Sequence, residues 1–92
     1  MAPITSSRQS VKFEIKAPEA DSVFLGGDFN GWNGNKHPMK KNGDGTWSKT
    51  IMIGPGTYEY KFLVDGNWEN DPNNENYSHN NFGTQNNWIR LG

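Results

Sequence analysis

The sequence predicts an all-β sandwich of six or seven short strands, and three observations predict it. Apolar and polar residues alternate strictly over several short stretches, the period of a half-buried strand. Clusters of Gly, Asn and Pro separate those stretches at close intervals. No window places apolar residues at helical spacing. The 92 residues have room for one small domain. Only 16 of them are Leu, Ile, Val or Phe, so the aliphatic core is thin. A net charge of -1 keeps the chain from repelling itself, and 13% aromatic residues supply the buried area that aliphatics do not.

Residues 1–10 read as a flexible leader and residues 11–92 as a single domain. Val11, Phe13 and Ile15 share one face of the first strand, Lys12, Glu14 and Lys16 the other, and Pro18 ends it. The run from Ser22 to Gly26 is a second strand, apolar on both faces, with Gly26 and Gly27 permitting a bulge or a close backbone approach. Residues 30–35 are turn chemistry. Thr46 to Ile53 forms a third strand after the tight connection of residues 41–45. In Thr57 to Val64, the clearest strand, Tyr58, Tyr60, Phe62 and Val64 face one way and Glu59, Lys61 and Leu63 the other. Asp65-Gly66 signals a type I′ hairpin, because both central residues need positive φ. Asn67 to Glu69 is the short return strand, Asn70 to Asn81 a polar loop, and Gln85 to Leu91 the closing strand.

The same composition excludes several functions. No apolar run approaches the roughly 18 residues of a membrane span. The first ten residues lack the apolar centre of a secretory signal, so a cytoplasmic address and no membrane partner are expected. No cysteine is present for disulfides, thiolate metal sites or nucleophilic catalysis. Nine basic against ten acidic residues give a nucleic-acid partner no electrostatic basis. The polar excess is amide-rich (13 Asn), which suits a neutral hydroxylated ligand.

Catalysis finds no support in the residues, and no enzyme activity is expected. Asp28, Asp44, Asp65, Glu69, Asp71 and Glu75 stand beside Gly, Asn or Pro and read as solvated turn formers. His37 and His79 lack ligand spacing. The segment from Asn42 to Ile53 fails as a calcium loop, because Ile53 stands where a bidentate Glu is required. No metal or cofactor is expected. Three Asn-Gly pairs, at Asn30, Asn33 and Asn42, are expected to deamidate slowly at alkaline pH.

A binding face is the remaining reading. Trp47 shares parity with Ile51 and Ile53 and belongs in the core. Trp32 and Trp68 instead lie among Asn and Gly without apolar company. Each reads either as a ligand platform or as a cap on an end of the sandwich. Lys61 projects from mid-strand, opposite Tyr60 and Phe62, either to donate hydrogen bonds to a ligand or simply into solvent.

The segments 23–32 (VFLGGDFNGW), 58–68 (YEYKFLVDGNW), Asp71-Pro72 and 82–87 (FGTQNN) occur in that order. Together they resemble the glycogen-binding domain of the AMP-activated protein kinase β-subunit and carbohydrate-binding module family 48, which includes modules of branching and debranching enzymes. The resemblance covers residues 11–91. It implies an immunoglobulin-like (early-set) antiparallel β-sandwich of six to eight short strands, no catalysis, and binding of α-1,4-linked glucans. It further implies that Trp32 and Trp68 stack on sugar rings and that Lys61 contacts their hydroxyls. Phe82 would press against a sugar ring, with Thr84 and Asn86 as polar partners. Gly31 departs from the commoner Asn or Asp of the family. Trp88 replaces an aliphatic residue and either extends the sugar surface or covers the sheet. The competing expectation is a protein-interaction sandwich, docking to a kinase subunit or a glucan-processing enzyme with little sugar binding. A monomer is expected in either case.

Overall fold

The computed structural model describes residues 8–92. The expected leader lies outside the described residues for residues 1–7, whereas Gln9 and Ser10 already belong to the first strand. Eight strands follow: β1 (Gln9–Lys16), β2 (Val23–Gly27), β3 (Lys40–Lys41), β4 (Thr46–Ile53), β5 (Gly56–Val64), β6 (Asn67–Glu69), β7 (Tyr77–His79) and β8 (Gln85–Leu91). They form two antiparallel sheets, ordered β1-β4-β3 and β2-β5-β8-β7, with β6 also paired to β5. The all-β sandwich is therefore the fold.

Alternation explains the core. Phe13 and Ile15 from β1 and Trp47 and Ile53 from β4 meet Val23, Leu25, Tyr60, Phe62 and Val64 from the facing sheet. Rings do much of the filling. Phe13 packs edge-on against Tyr60 at 4.9 Å between centroids, and Tyr60 against Phe62 at 5.8 Å. Such pairs contribute about 0.5–1.5 kcal/mol beyond their buried area, which offsets the short supply of aliphatics. Asp65 (φ 48°) and Gly66 (φ 85°) both take the left-handed conformation of the expected hairpin turn. Asp65 Oδ1 also accepts from the backbone N–H groups of Asp21 and Ser22, fixing the entry to β2.

Three elements differ from the sequence reading. Residues 36–40 carry no assignment in the sequence reading, and Lys41 is placed there in a tight connection. In fact His37 and Met39 exchange backbone hydrogen bonds with Leu25 and Val23 along the free edge of β2, and the chain then crosses to β3. Asp28–Asn30 make one turn of 3-10 helix. The loop of residues 70–81 contains β7, a polar strand whose pairing to β8 leaves no apolar trace in the sequence.

Buried amides hold that segment. Asn87 is fully buried; its Oδ1 accepts from the Asp71 N–H at 2.6 Å and from Asn70 Nδ2 at 3.1 Å, and its Nδ2 donates to the Asn74 carbonyl at 2.9 Å. The Tyr60 hydroxyl donates to Asp71 Oδ2 at 2.7 Å and accepts from Asn74 Nδ2. Burial pushes the Tyr60 phenol far above its ordinary range, and the Asp71 carboxylate pushes the same way. Asp71 is thus a buried acceptor and not the solvated turn former that its neighbours suggested.

Asn30 is buried as well. Its Nδ2 donates to the Leu25 carbonyl at 2.8 Å and its Oδ1 accepts from the Gly27 N–H at 3.1 Å. Deamidation needs a mobile amide, so alkaline storage should modify the exposed Asn42 and Asn33 while sparing Asn30. Peptide mapping by mass spectrometry checks this; equal modification at Asn30 would contradict the packing described.

Candidate functional site

The outer face of the β5 sheet carries the site. Lys61 on β5 stands opposite Gly26 on β2, and Leu63 opposite Trp68 on β6, so these residues share that face. Gly26 matters because it is bare: a Cβ there would lie 2.6 Å from Trp68 Cη2 and 3.8 Å from Trp32 Cε3. Both indoles lean over it. The close approach expected at Gly26-Gly27 is made by the Trp68 ring at Gly26 and by the Glu59 backbone carbonyl at Gly27, 2.6 Å from where a Cβ would stand.

Trp32 reaches this position through strained backbone. Gly31 (φ 65°) ends the 3-10 turn in the left-handed region, and Trp32 itself has φ 60°. A bulky residue there costs energy and marks a constrained turn. Two hydrogen bonds hold it. The Trp32 N–H donates to the Gly27 carbonyl at 2.9 Å, and its Nε1 donates to Asp28 Oδ1 at 3.0 Å. Asp28 Oδ2 accepts from the Glu59 backbone N–H at 2.8 Å, clamping the turn to β5. Asp28 is therefore a clamp on Trp32 and not merely a solvated turn former. With Nε1 engaged, Trp32 offers its ring face.

Trp68 lies just past the hairpin tip and is 43% exposed. The two indole planes meet at 70° with centroids 6.0 Å apart. They are neither interred nor splayed to different sides, and they form a V with Gly26 at its base.

The far wall is the turn between β7 and β8. Phe82 stands at its tip, 91% exposed. Asn80 organises this turn: its Oδ1 accepts from the backbone N–H groups of Phe82 and Thr84, and its Nδ2 donates to Thr84 Oγ1 and Asn86 Oδ1. Asn86 Nδ2 in turn donates to Glu59 Oε1 at 3.0 Å. Thr84 and Asn86 thus spend part of their hydrogen-bonding capacity on the turn. Lys61 is largely buried, yet its Nζ has no partner among the described residues and no buried polar atom is left unsatisfied, so the ammonium reaches solvent.

One groove of about 640 Å³ results, and all six sequence-predicted residues line it: Trp32, Lys61, Trp68, Phe82, Thr84 and Asn86. Glu59, His79, Asn80 and Asn81 line it too. Sequence reasoning missed these four. Only the outward parity of Glu59 with Lys61 hinted at one of them. Trp88 faces the same side, opposite Glu59 in the β5–β8 register, but lies outside the groove lining. Among the described residues no cluster of His, Cys, Asp or Glu fits a metal ion, and no helix is long and apolar enough to cross a membrane.

The profile of a family described as the glycogen recognition site of AMP-activated protein kinase matches residues 9–92. The chain belongs to this family. The glycogen-recognition family accounts for the β-sandwich and for the order of the motifs. Relatives include Protein FLOURY ENDOSPERM 6, chloroplastic, of Oryza sativa subsp. japonica, 45% identical over 53 residues, 58% of this chain and 10% of that protein. Protein PTST homolog 2, chloroplastic, of Arabidopsis thaliana is 45% identical over the same length. The 1,4-alpha-glucan branching enzyme GlgB of Deinococcus radiodurans is 40% identical over 58 residues, 63% of this chain and 8% of the enzyme. The chain thus spans a tenth or less of these relatives.

Gly26→Ala tests the base of the V. Its methyl group would strike the Cη2–Cζ3 edge of Trp68 and not backbone, so the ring moves and the fold survives. Calorimetry should find a melting temperature close to that of the parent, while the indole N–H NMR signals of Trp68 and Trp32 shift. Unmoved indole signals would show that Gly26 does not set the angle between the rings.

Proposed function

We propose that the chain is a non-catalytic module that binds α-1,4-linked glucans (glycogen, starch, maltooligosaccharides or cyclodextrin). The observation that carries the reading is the pair of half-open indoles at 70° in a groove fringed by amides and one unpartnered ammonium. An α-1,4-glucan curls, presenting apolar C–H flanks along its curve and hydroxyls at its rim. Two plates set at an angle match successive rings of such a curve. Phe82, 91% exposed at the groove edge, supplies a third apolar contact. Lys61 donates to hydroxyls, a charged hydrogen bond worth about 1.5–3 kcal/mol. Asn86 and Thr84 contribute the donors and acceptors that the turn leaves over. The branching enzymes among its relatives support a glucan ligand, and in that setting the module would hold an enzyme or kinase subunit on its polysaccharide.

The groove is shallow and leaves much of the sugar wet. Binding of an oligosaccharide of several glucose units should therefore be modest, with Kd on the order of 1–100 μM. Repetition of the epitope on a polysaccharide particle then favours retention. Tryptophan fluorescence tests the reading. Maltoheptaose and β-cyclodextrin should shift or quench the emission saturably, and cellohexaose, a flat β-linked chain, should not. Equal responses to both linkages, or none to either, would refute it; a flat titration together with a stably co-purifying protein would favour the docking alternative.

A further inference from the structure

Away from the groove, the alternation of β4 is broken once. Trp47, Ile51 and Ile53 face the core, but Lys49 stands between them on the same face, opposite Phe13 of β1. A lysine at such a position must carry its ammonium out along the open side of the sandwich. Lys49 lines a second cavity, of about 290 Å³, together with Phe29, Lys36, His37, Thr50, Ile51 and Met52. No carboxylate lines this cavity. Among the described residues neither Lys36 nor Lys49 is in an ion pair.

His37 adds a directed donor. Its Nδ1 lies 2.9 Å from Asn30 Nδ2, which can only donate. Nδ1 therefore accepts, and the proton of the neutral ring is assigned to Nε2. Burial lowers the His37 pKa, and the charges of Lys49 and Lys36 lower it further, so the ring is neutral at pH 7 and keeps this arrangement. Two free ammonium groups and an imidazole N–H around a cavity without acidic side chains make an anion site by their chemistry.

We propose that this cavity binds a phosphate group, held by Lys36 and Lys49 with His37 as the neutral donor. The space exceeds one phosphate, so either inorganic phosphate or a small sugar phosphate can occupy it. The proposal does not rest on the glucan reading, because no residue of the glucan groove lines this cavity.

Amide-resolved NMR of the chain tests it, with sodium phosphate and glucose 6-phosphate titrated against sodium chloride at matched ionic strength. Phosphate should shift the Lys36, His37 and Thr50 amides saturably, with Kd on the order of 1 mM, and should leave Gly26 and Trp68 in place. Lys36→Gln, at an exposed position, and Lys49→Gln should each weaken this binding about tenfold without changing the response to β-cyclodextrin. Tighter binding of glucose 6-phosphate identifies a sugar ester as the ligand, and equal binding identifies the free ion; either supports the site. Shifts reproduced by chloride, or retained in full in both variants, would overturn it.

Discussion

Trp68→Ala should weaken α-glucan binding by about 30-fold or more, enough to remove β-cyclodextrin binding from a fluorescence or calorimetric titration. The expectation follows from position. Trp68 is the more open of the two indoles, it forms one arm of the V, and its ring packs over Gly26 and beside Gly34. Truncation removes the stacking face and also the edge support of Trp32. Anchors of this kind typically cost about 2 kcal/mol or more when cut to alanine. Trp68 contributes little to the core, so the variant should unfold near the parent temperature. Retained affinity would mean that the sugar sits elsewhere, and a large loss of stability would mean that Trp68 is a structural cap.

The second large effect concerns stability. Asn87→Ala should lower the unfolding free energy by about 3–5 kcal/mol in urea denaturation. The variant strands the buried Asp71 N–H, at about 1–3 kcal/mol, removes the partly buried bond to the Asn74 carbonyl, and leaves a cavity besides. A domain of this size holds only about 5–15 kcal/mol in total. Asn73, exposed in the same segment, is the comparison: Asn73→Ala should change stability by less than about 0.5 kcal/mol. Similar losses at both positions would show that the amide network does not set the stability of this segment. The network also supports function, because β7 leads directly into the turn that carries Phe82 and Thr84.

What was legible in the sequence divides along a physical line. Local signals worked. Alternation located β1 and β5, and Asp65-Gly66 announced a hairpin whose two residues do adopt positive φ. Isolation among Asn and Gly set Trp32 and Trp68 apart from Trp47. Non-local hydrogen bonds left no local trace. Asp28 holds β5 from 31 positions away, and Asn87 reaches 16 residues back to Asp71. In sequence, Asp28 and Asp71 look like any turn carboxylates, and Asn80 like any loop amide. Strands β3 and β7 were missed for the same reason: their pairing partners, not their own residues, define them. The high Asn content, read first as a surface suited to sugars, proves in part to be internal scaffolding, with Asn30, Asn86 and Asn87 all buried.

The groove between the paired indoles and the Phe82 turn is the proposed seat of an α-glucan. Amide-resolved NMR titration with β-cyclodextrin tests it most directly, since it reports affinity and location together. Saturable shifts should concentrate at Gly26, Trp32, Lys61, Trp68 and residues 82–86, including the indole N–H signals of Trp32 and Trp68. Saturable shifts confined to the β1–β4 face, or an unmoved spectrum, would contradict it.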